Sequence, residues 1–418
     1  MRWNREPVSA TPRSAVWQLS PQRERPGGQI AISAPLMPDA RPLRILLVTR
    51  SYPAPGDLYK YPFVHRRVLA YLASGHQVAV FRPSDQPGEH RFEGVTCLSG
   101  GREALEDCAR SWKPDVIAVH GFSETIWPVI EPLAESFPIR AWLHGSEIPA
   151  FFRQKAQCIE DSEERQTALQ AVEVRRAFWQ RFLGCKPDRL KLVFVSNAAV
   201  DLAREDLAAN LRLADYAIIP NPIDTDLFAF KQKRPGDRWR VLMIRPFDSL
   251  TYGNDMAVSA IRRMSEMRDF DRLQFTIIGD GPLFESTLKP LLALRNVRIE
   301  RRFLTQPEIA EEHGKHGIFL VPTRLDTQGV SRDEAMSSGL VPVTNSISAV
   351  SEFVDDSCAA LAAPDDVTGL TVALQLLIED PRLFCRRSAA AAERVRRQSC
   401  TKLIIPRELA LLEEAASG

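Results

Sequence analysis

Two carboxylates, Asp326 and Glu334, stand eight residues apart and bracket the dipeptide Gly329-Val330. A carboxylate accepts two hydrogen bonds at once, which suits the neighbouring hydroxyls of a sugar or ribose. Glycine between them lets a ligand approach the backbone amides of Gly329 and Val330 closely. Arg245 ends the apolar run Val241-Leu-Met-Ile244, where a guanidinium and amide dipoles suit a phosphate. His120 and His144 each close another apolar run. Structural roles compete at every one of these positions. Ser331-Arg-Asp-Glu334 has the form of a capping box, with Ser331 at the N-cap and Glu334 at N3, and both roles are compatible. A strand-end arginine is often a surface residue, and a lone histidine is often a satisfied structural one. No Ser-His-Asp arrangement and no carboxylate nucleophile stands out.

The elements that must position these groups are visible as short apolar runs. They fall at 45–49, 77–81, 115–120, 141–144, 192–196 and 217–220, then at 240–244, 274–279, 297–300, 318–322, 341–344 and 359–362. Most are nearly continuously apolar and β-branched, and amphipathic stretches of helix length separate them. That pattern predicts parallel strands covered on both faces, an α/β architecture. It occurs twice. The break at 220–238 holds three prolines and a basic run, as a linker would.

The expected organisation is a disordered extension over 1–40, rich in Arg, Pro and Ser, and a first doubly wound domain over 41–219. The linker at 220–238 leads to a second domain over 239–400, and a terminal helix follows over 401–418. That helix either stays with the second domain or crosses back to the first. Met37 is a plausible alternative start. Open parallel sheets bind ligands at the carboxyl ends of their strands, so two facing domains would present their functional loops to one cleft.

Composition excludes several classes. A chain of 418 residues, 44% hydrophobic and 26% charged, can bury two proper cores. A net charge of +1 makes no case for nucleic acid as a partner. The seven cysteines are scattered without paired spacing, as reduced cytoplasmic thiols are. No apolar run approaches the ~20 residues of a membrane span, and the first residues lack a signal core. A dinucleotide dehydrogenase is disfavoured because neither first βα turn carries GxGxxG.

Further motifs follow in chain order across residues 44–365. Gly75-His-Gln-Val78, Pro114-Asp-Val-Ile117 with His120, and His144-Gly-Ser-Glu147 resemble the acceptor domain of retaining glycosyltransferases with two Rossmann-like domains, the GT-B type. Ile219-Pro-Asn-Pro-Ile-Asp-Thr-Asp-Leu-Phe228 resembles the interdomain segment of those enzymes. Gly279-Asp-Gly-Pro282 and Gly329-Val-Ser-Arg-Asp-Glu-Ala-Met-Ser-Ser-Gly-Leu-Val-Pro-Val343 resemble their donor domain. The group most similar is glycosyltransferase family 4, also described as glycosyl transferases group 1.

The resemblance implies roles. Glu334 would hold the ribose of a nucleotide sugar, and Asp326, one methylene shorter than the family's usual Glu, the transferred sugar. The amides of Gly329 and Val330 would reach the same sugar. Arg245 would meet the charge on the departing diphosphate. Tyr252, before Gly253, stands where the family carries a lysine, so a phenol replaces a charge. Gly279 would belong to the nucleotide site. His144 would contact the donor sugar near the reaction centre, with His120 beside it and Glu147 where the family often has Asp. Gly56, in a first loop without the usual double glycine, would touch phosphate or acceptor, whereas His76 reads as structural.

The implied activity is metal-independent hexosyl transfer with retention, the departing phosphate taking the acceptor's proton. The donor is a substrate, and no separate cofactor is expected. Asp224-Thr-Asp226 and Asp269-Phe-Asp271 mimic a metal motif in the wrong context. The acceptor would be a glycan or lipid-linked glycan in bacterial surface polysaccharide synthesis. The aromatic-basic stretch 173–183 is compatible with peripheral contact at the inner face of a membrane, or with a core face carrying snorkelling arginines. Two other readings stay open: a nucleotide-sugar epimerase, and a non-catalytic subunit that binds nucleotide or carbohydrate.

Overall fold

A computed structural model describes residues 41–58, 60–207, 211–347 and 349–418. The extension expected over 1–40 and the start at Met37 lie outside the described residues. The first sheet holds β1 (Arg44–Thr49), β2 (Gln77–Pro83), β3 (Gly88–Phe92), β4 (Val95–Gly100), β5 (Val116–His120), β6 (Ile139–Leu143), β7 (Leu190–Phe194) and β8 (Tyr216–Ile218). Their spatial order is β3-β4-β2-β1-β5-β6-β7-β8. The second sheet holds β9 (Arg240–Ile244), β10 (Gln274–Gly279), β11 (Val297–Arg301), β12 (Ile318–Leu320), β13 (Val341–Asn345) and β14 (Ala360–Ala362), ordered β11-β10-β9-β12-β13-β14. Every pairing is parallel except β3 with β4.

The continuous apolar runs mark burial on both faces. In β1, Leu46 and Val48 enter one core and Ile45 another, and in β9 Val241 and Met243 oppose Leu242 and Ile244 in the same way. The hairpin of β3 and β4 is absent from the apolar runs above. β3 is a polar, half-exposed edge strand, and Glu93-Gly94 turns it back with positive φ at both residues. Strand order reverses between β1 and β5 in one sheet and between β9 and β12 in the other. Ligands bind at such switch points, and the loops carrying Arg245 and Asp326 leave from one of them.

Residues 220–238, expected as a linker, are packed. Ile223 and Phe228 are 1% exposed, and the Lys233 ammonium donates to the carbonyl of His313. The terminal segment is two helices, Pro381–Gln398 and Thr401–Ser417, with Ile223 pairing at Cys400 between them. The second crosses to the first sheet, where Ile404, Ile405 and Leu412 share a core with Ile45, Val116 and Trp142. Within that core Glu408 accepts from Arg67 (2.9 Å) and Tyr71 (2.6 Å).

The long helix Ser162–Gly184 carries the aromatic-basic stretch. Phe178, Trp179 and Phe182 face inward against Phe122, and Arg175 donates twice to Glu124 while lying over Phe152. The aromatic face therefore has no free surface to offer a bilayer, and of the two readings of 173–183 the core face is what the fold displays. Among the described residues no helix is long and apolar enough to cross a membrane.

Candidate active site in the interdomain cleft

Between the carboxyl ends of the two sheets lies a cavity of about 440 Å³. The first domain contributes His144, Phe63 and Arg66, the second contributes Arg245, Tyr252, Asp326, Gly329, Val330 and Glu334, and Asn221 lines it from the crossover.

The loop after β12 is held in shape by its own side chains. Asp326 Oδ1 accepts the amides of Thr327 (2.8 Å) and Gln328 (3.1 Å). Gln328 and Asn221 bond twice: the Asn221 amide donates to Gln328 Oε1 (2.6 Å), and Gln328 Nε2 donates to the Asn221 carbonyl (3.1 Å). The helix Val330–Ser337 then begins from Gly329, which has φ 96° and no side-chain cap. The capping box is thereby overturned. Because glycine takes the left-handed N-cap position, Ser331 falls inside the helix and Glu334 beyond its first turn.

No hydrogen bond among the described residues reaches the Glu334 carboxylate. Burial pushes its pKa up to about 8, with Asp333 and Asp224 adding to the rise and Arg66 opposing it. A carboxyl held in that environment has its hydrogen-bonding capacity open to a ligand.

Arg245 is 6% exposed. It reaches Ser331 Oγ and the Pro322 carbonyl, each at 3.3 Å, and its guanidinium lies 5.1 Å from the Tyr252 ring centroid. Burial raises the Tyr252 pKa and Arg245 partly offsets it, so the phenol keeps its proton and remains a donor. Tyr252 precedes Gly253, whose φ of 63° opens the helix Asn254–Met264.

On the opposite wall His144 Nε2 and His120 Nδ1 are 3.1 Å apart, and the rings are nearly parallel. Burial first, then the Arg67 charge, pulls both imidazoles well below their usual pKa, so both are neutral at pH 7. Phe63 packs edge-on against His144.

Four of the residues expected to contact ligand are not among those that line the cavity. His120 is fully buried behind His144, stacked between it and Trp142. Glu147 is also fully buried: its carboxylate accepts the amides of His144 (2.9 Å) and Gly145 (2.8 Å), so it shapes the loop and does not face the cavity. Gly279 lies outside the lining; a Cβ there would fall 1.9 Å from the Arg245 carbonyl, so its role is close packing beneath Arg245. Gly56 also lies outside the lining, in open space. His76 Nδ1 accepts the Leu43 amide, and Asp224 Oδ1 accepts the amides of Asp226 and Leu227.

Asn221, Thr327, Gln328 and Arg66 were not singled out from sequence. Asn221 stands in the Pro-Asn-Pro motif, which is a signal for it, and Thr327 and Gln328 lie between Asp326 and Gly329. Arg66 sits on an amphipathic helix beside Arg67, with nothing local to mark it.

Residues 240–380 match the family model described as glycosyl transferases group 1. The chain is 24% identical over 399 residues to a glycogen synthase of Mycobacterium tuberculosis, spanning 84% of this chain and 90% of that one. A sucrose-phosphate synthase from Thermosynechococcus elongatus has the same architecture, with a TM-score of 0.69 at 16% identity over 90% of this chain and 99% of that one. So does Anabaena HepE, solved in complex with UDP and glucose, with a TM-score of 0.63 at 16% identity over 89% of this chain and all of that one. The fold is GT-B, and the group 1 match over the second domain supports a glycosyltransferase.

Proposed function

We propose that this chain is a retaining, metal-independent glycosyltransferase of family 4. It moves a hexosyl group from a nucleoside diphosphate sugar to a glycan or lipid-linked acceptor. The observation that carries the reading is the convergence of Arg245, Asp326 and Glu334 with His144 around one cavity, from domains on either side of a cleft. The UDP and glucose named with the HepE structure give the donor class a precedent in the same fold.

In this reading Glu334 holds the ribose hydroxyls and Asp326 a hydroxyl of the sugar. His144 faces the sugar as a neutral imidazole. The bond between the anomeric carbon and the diphosphate oxygen breaks, and the diphosphate leaves with the electron pair. Arg245 and the Tyr252 hydroxyl meet the charge that builds on it. The acceptor oxygen bonds to the anomeric carbon on the same face, and its proton passes to the departing phosphate. Surface polysaccharide synthesis at the cytoplasmic side of a bacterial membrane is the proposed setting.

A panel of UDP-, GDP-, ADP- and dTDP-sugars, screened for thermal stabilisation, tests donor binding. One base series should stabilise the protein, and adding glycan acceptors should release the nucleoside diphosphate. An isomerised sugar formed from donor alone would favour the epimerase reading. Binding without turnover across acceptors would favour the non-catalytic one, and no stabilisation by any member would overturn the proposal.

A further inference from the structure

Two guanidinium groups line the cleft cavity, Arg245 from the second domain and Arg66 from the first. Arg66 lies on the helix Pro62–Ala73, and among the described residues it pairs with Glu93 on the β3–β4 turn, Nη1 to Oε2 at 3.3 Å. Its Nε is buried without a hydrogen-bond partner. Glu93 does not depend on Arg66, because the same Oε2 lies 3.2 Å from His65 Nε2, and His65 Nδ1 is held by the Tyr52 hydroxyl at 2.6 Å. Arg66 can therefore turn away while Glu93 keeps its other partner. Its charge also acts on Glu334 across the cavity.

We propose that Arg66 is a second anion contact of the cleft, exchanging Glu93 for the phosphate next to the ribose. This rests on the donor reading above, in which Glu334 holds the ribose. A diphosphate brings two negative charges, and Tyr252 beside Arg245 adds a hydrogen bond but no positive charge. A guanidinium opposite Glu334 supplies the missing charge with fork geometry suited to phosphate oxygens. It also comes from the other domain, so the same contact draws the first domain onto the bound nucleotide.

Calorimetry with UDP, UMP and uridine, with the guanosine series run in parallel, separates the phosphate contribution from the nucleoside. Arg66→Met should weaken UDP and UMP by about tenfold while leaving uridine within about twofold. Arg66→Lys should recover part of that loss. Glu93→Gln should tighten UMP, because it removes the charge that competes for Arg66. Arg66 is partly exposed and melting curves of each variant check the fold. If wild type binds UMP and Arg66→Met keeps the same UMP-to-uridine ratio, this inference falls and the donor reading stands. If wild type binds neither series, the donor reading falls and takes this inference with it.

Discussion

The Thr327 hydroxyl donates a 2.7 Å hydrogen bond to the carbonyl oxygen of His144. The two residues are 183 positions apart in the chain, and the bond joins the donor-side loop to the first-domain histidine across the mouth of the cleft. Asp326 is the residue before Thr327, so the same contact sets the distance between the two walls of the site.

Replacing Thr327 by valine keeps the shape and removes only the donor. The loss should be about 1 kcal/mol of stability, read by denaturant unfolding. The transfer rate should fall by a larger factor than nucleotide affinity, because the affected geometry lies between walls. Equal effects on rate and affinity would contradict this.

Measured above pH 8, where the carboxylate is ionised, Glu334→Gln should weaken nucleotide-sugar binding by more than about tenfold, since an amide with one acceptor oxygen replaces a carboxylate that accepts both ribose hydroxyls. The same substitution should change stability in the opposite sense at high pH. The folded-state pKa of about 8 lies above the ordinary 4.5, so the folded chain retains a proton that the unfolded chain releases. Stability from this group is full below pH 4.5 and is lost as pH rises towards 8. The ligand-free Gln variant should therefore melt higher than wild type above pH 8, with the difference shrinking towards pH 4.5. A constant difference across that range would show that Glu334 does not titrate as described.

His144→Asn should lower the rate of transfer by about a hundredfold or more while leaving nucleotide affinity within a few-fold. Wild-type imidazole resonances of His144 and His120 should titrate well below the usual 6.5, because burial and then the Arg67 charge lower both. A titration near pH 6.5 for either ring would place them in a wetter site than the fold shows.

The Arg67–Glu408 pair, both side chains fully buried, ties the terminal helix to the first domain. Glu408→Ala leaves Arg67 hydrogen-bonded, among the described residues, to Asn221 and the Phe63 carbonyl, and should cost about 3–5 kcal/mol in urea unfolding. Adding Arg67→Met should restore a large part of that loss. A double variant as unstable as the single one would argue against the pair as the cause.

Gly279→Ala should reduce nucleotide binding without touching the ligand, since the added methyl forces the Arg245 backbone away. Calorimetry should show weaker UDP binding together with a lower melting temperature. A neutral outcome in both would mean that the strand end yields freely.

The strands were legible because burial on both faces writes itself as a continuous apolar run, whatever the neighbours are. The same runs located Arg245, His120, His144 and the Asp326–Glu334 segment at strand ends, and the order of motifs indicated two facing sheets. What each group does at its strand end was legible only in part. His120 and His144 look alike in the chain, yet one is buried behind the other. Glu147 and Glu334 are both acids near glycine, yet one is satisfied by two amides and the other by none. The half-polar hairpin of β3 and β4, the return of the terminal helix to the first domain and the entry of Arg66 into the cleft left no local mark. A hydrophobic period records only whether a position is buried. Which partner satisfies a buried polar group depends on residues tens to hundreds of positions away, and only the folded arrangement brings them within reach.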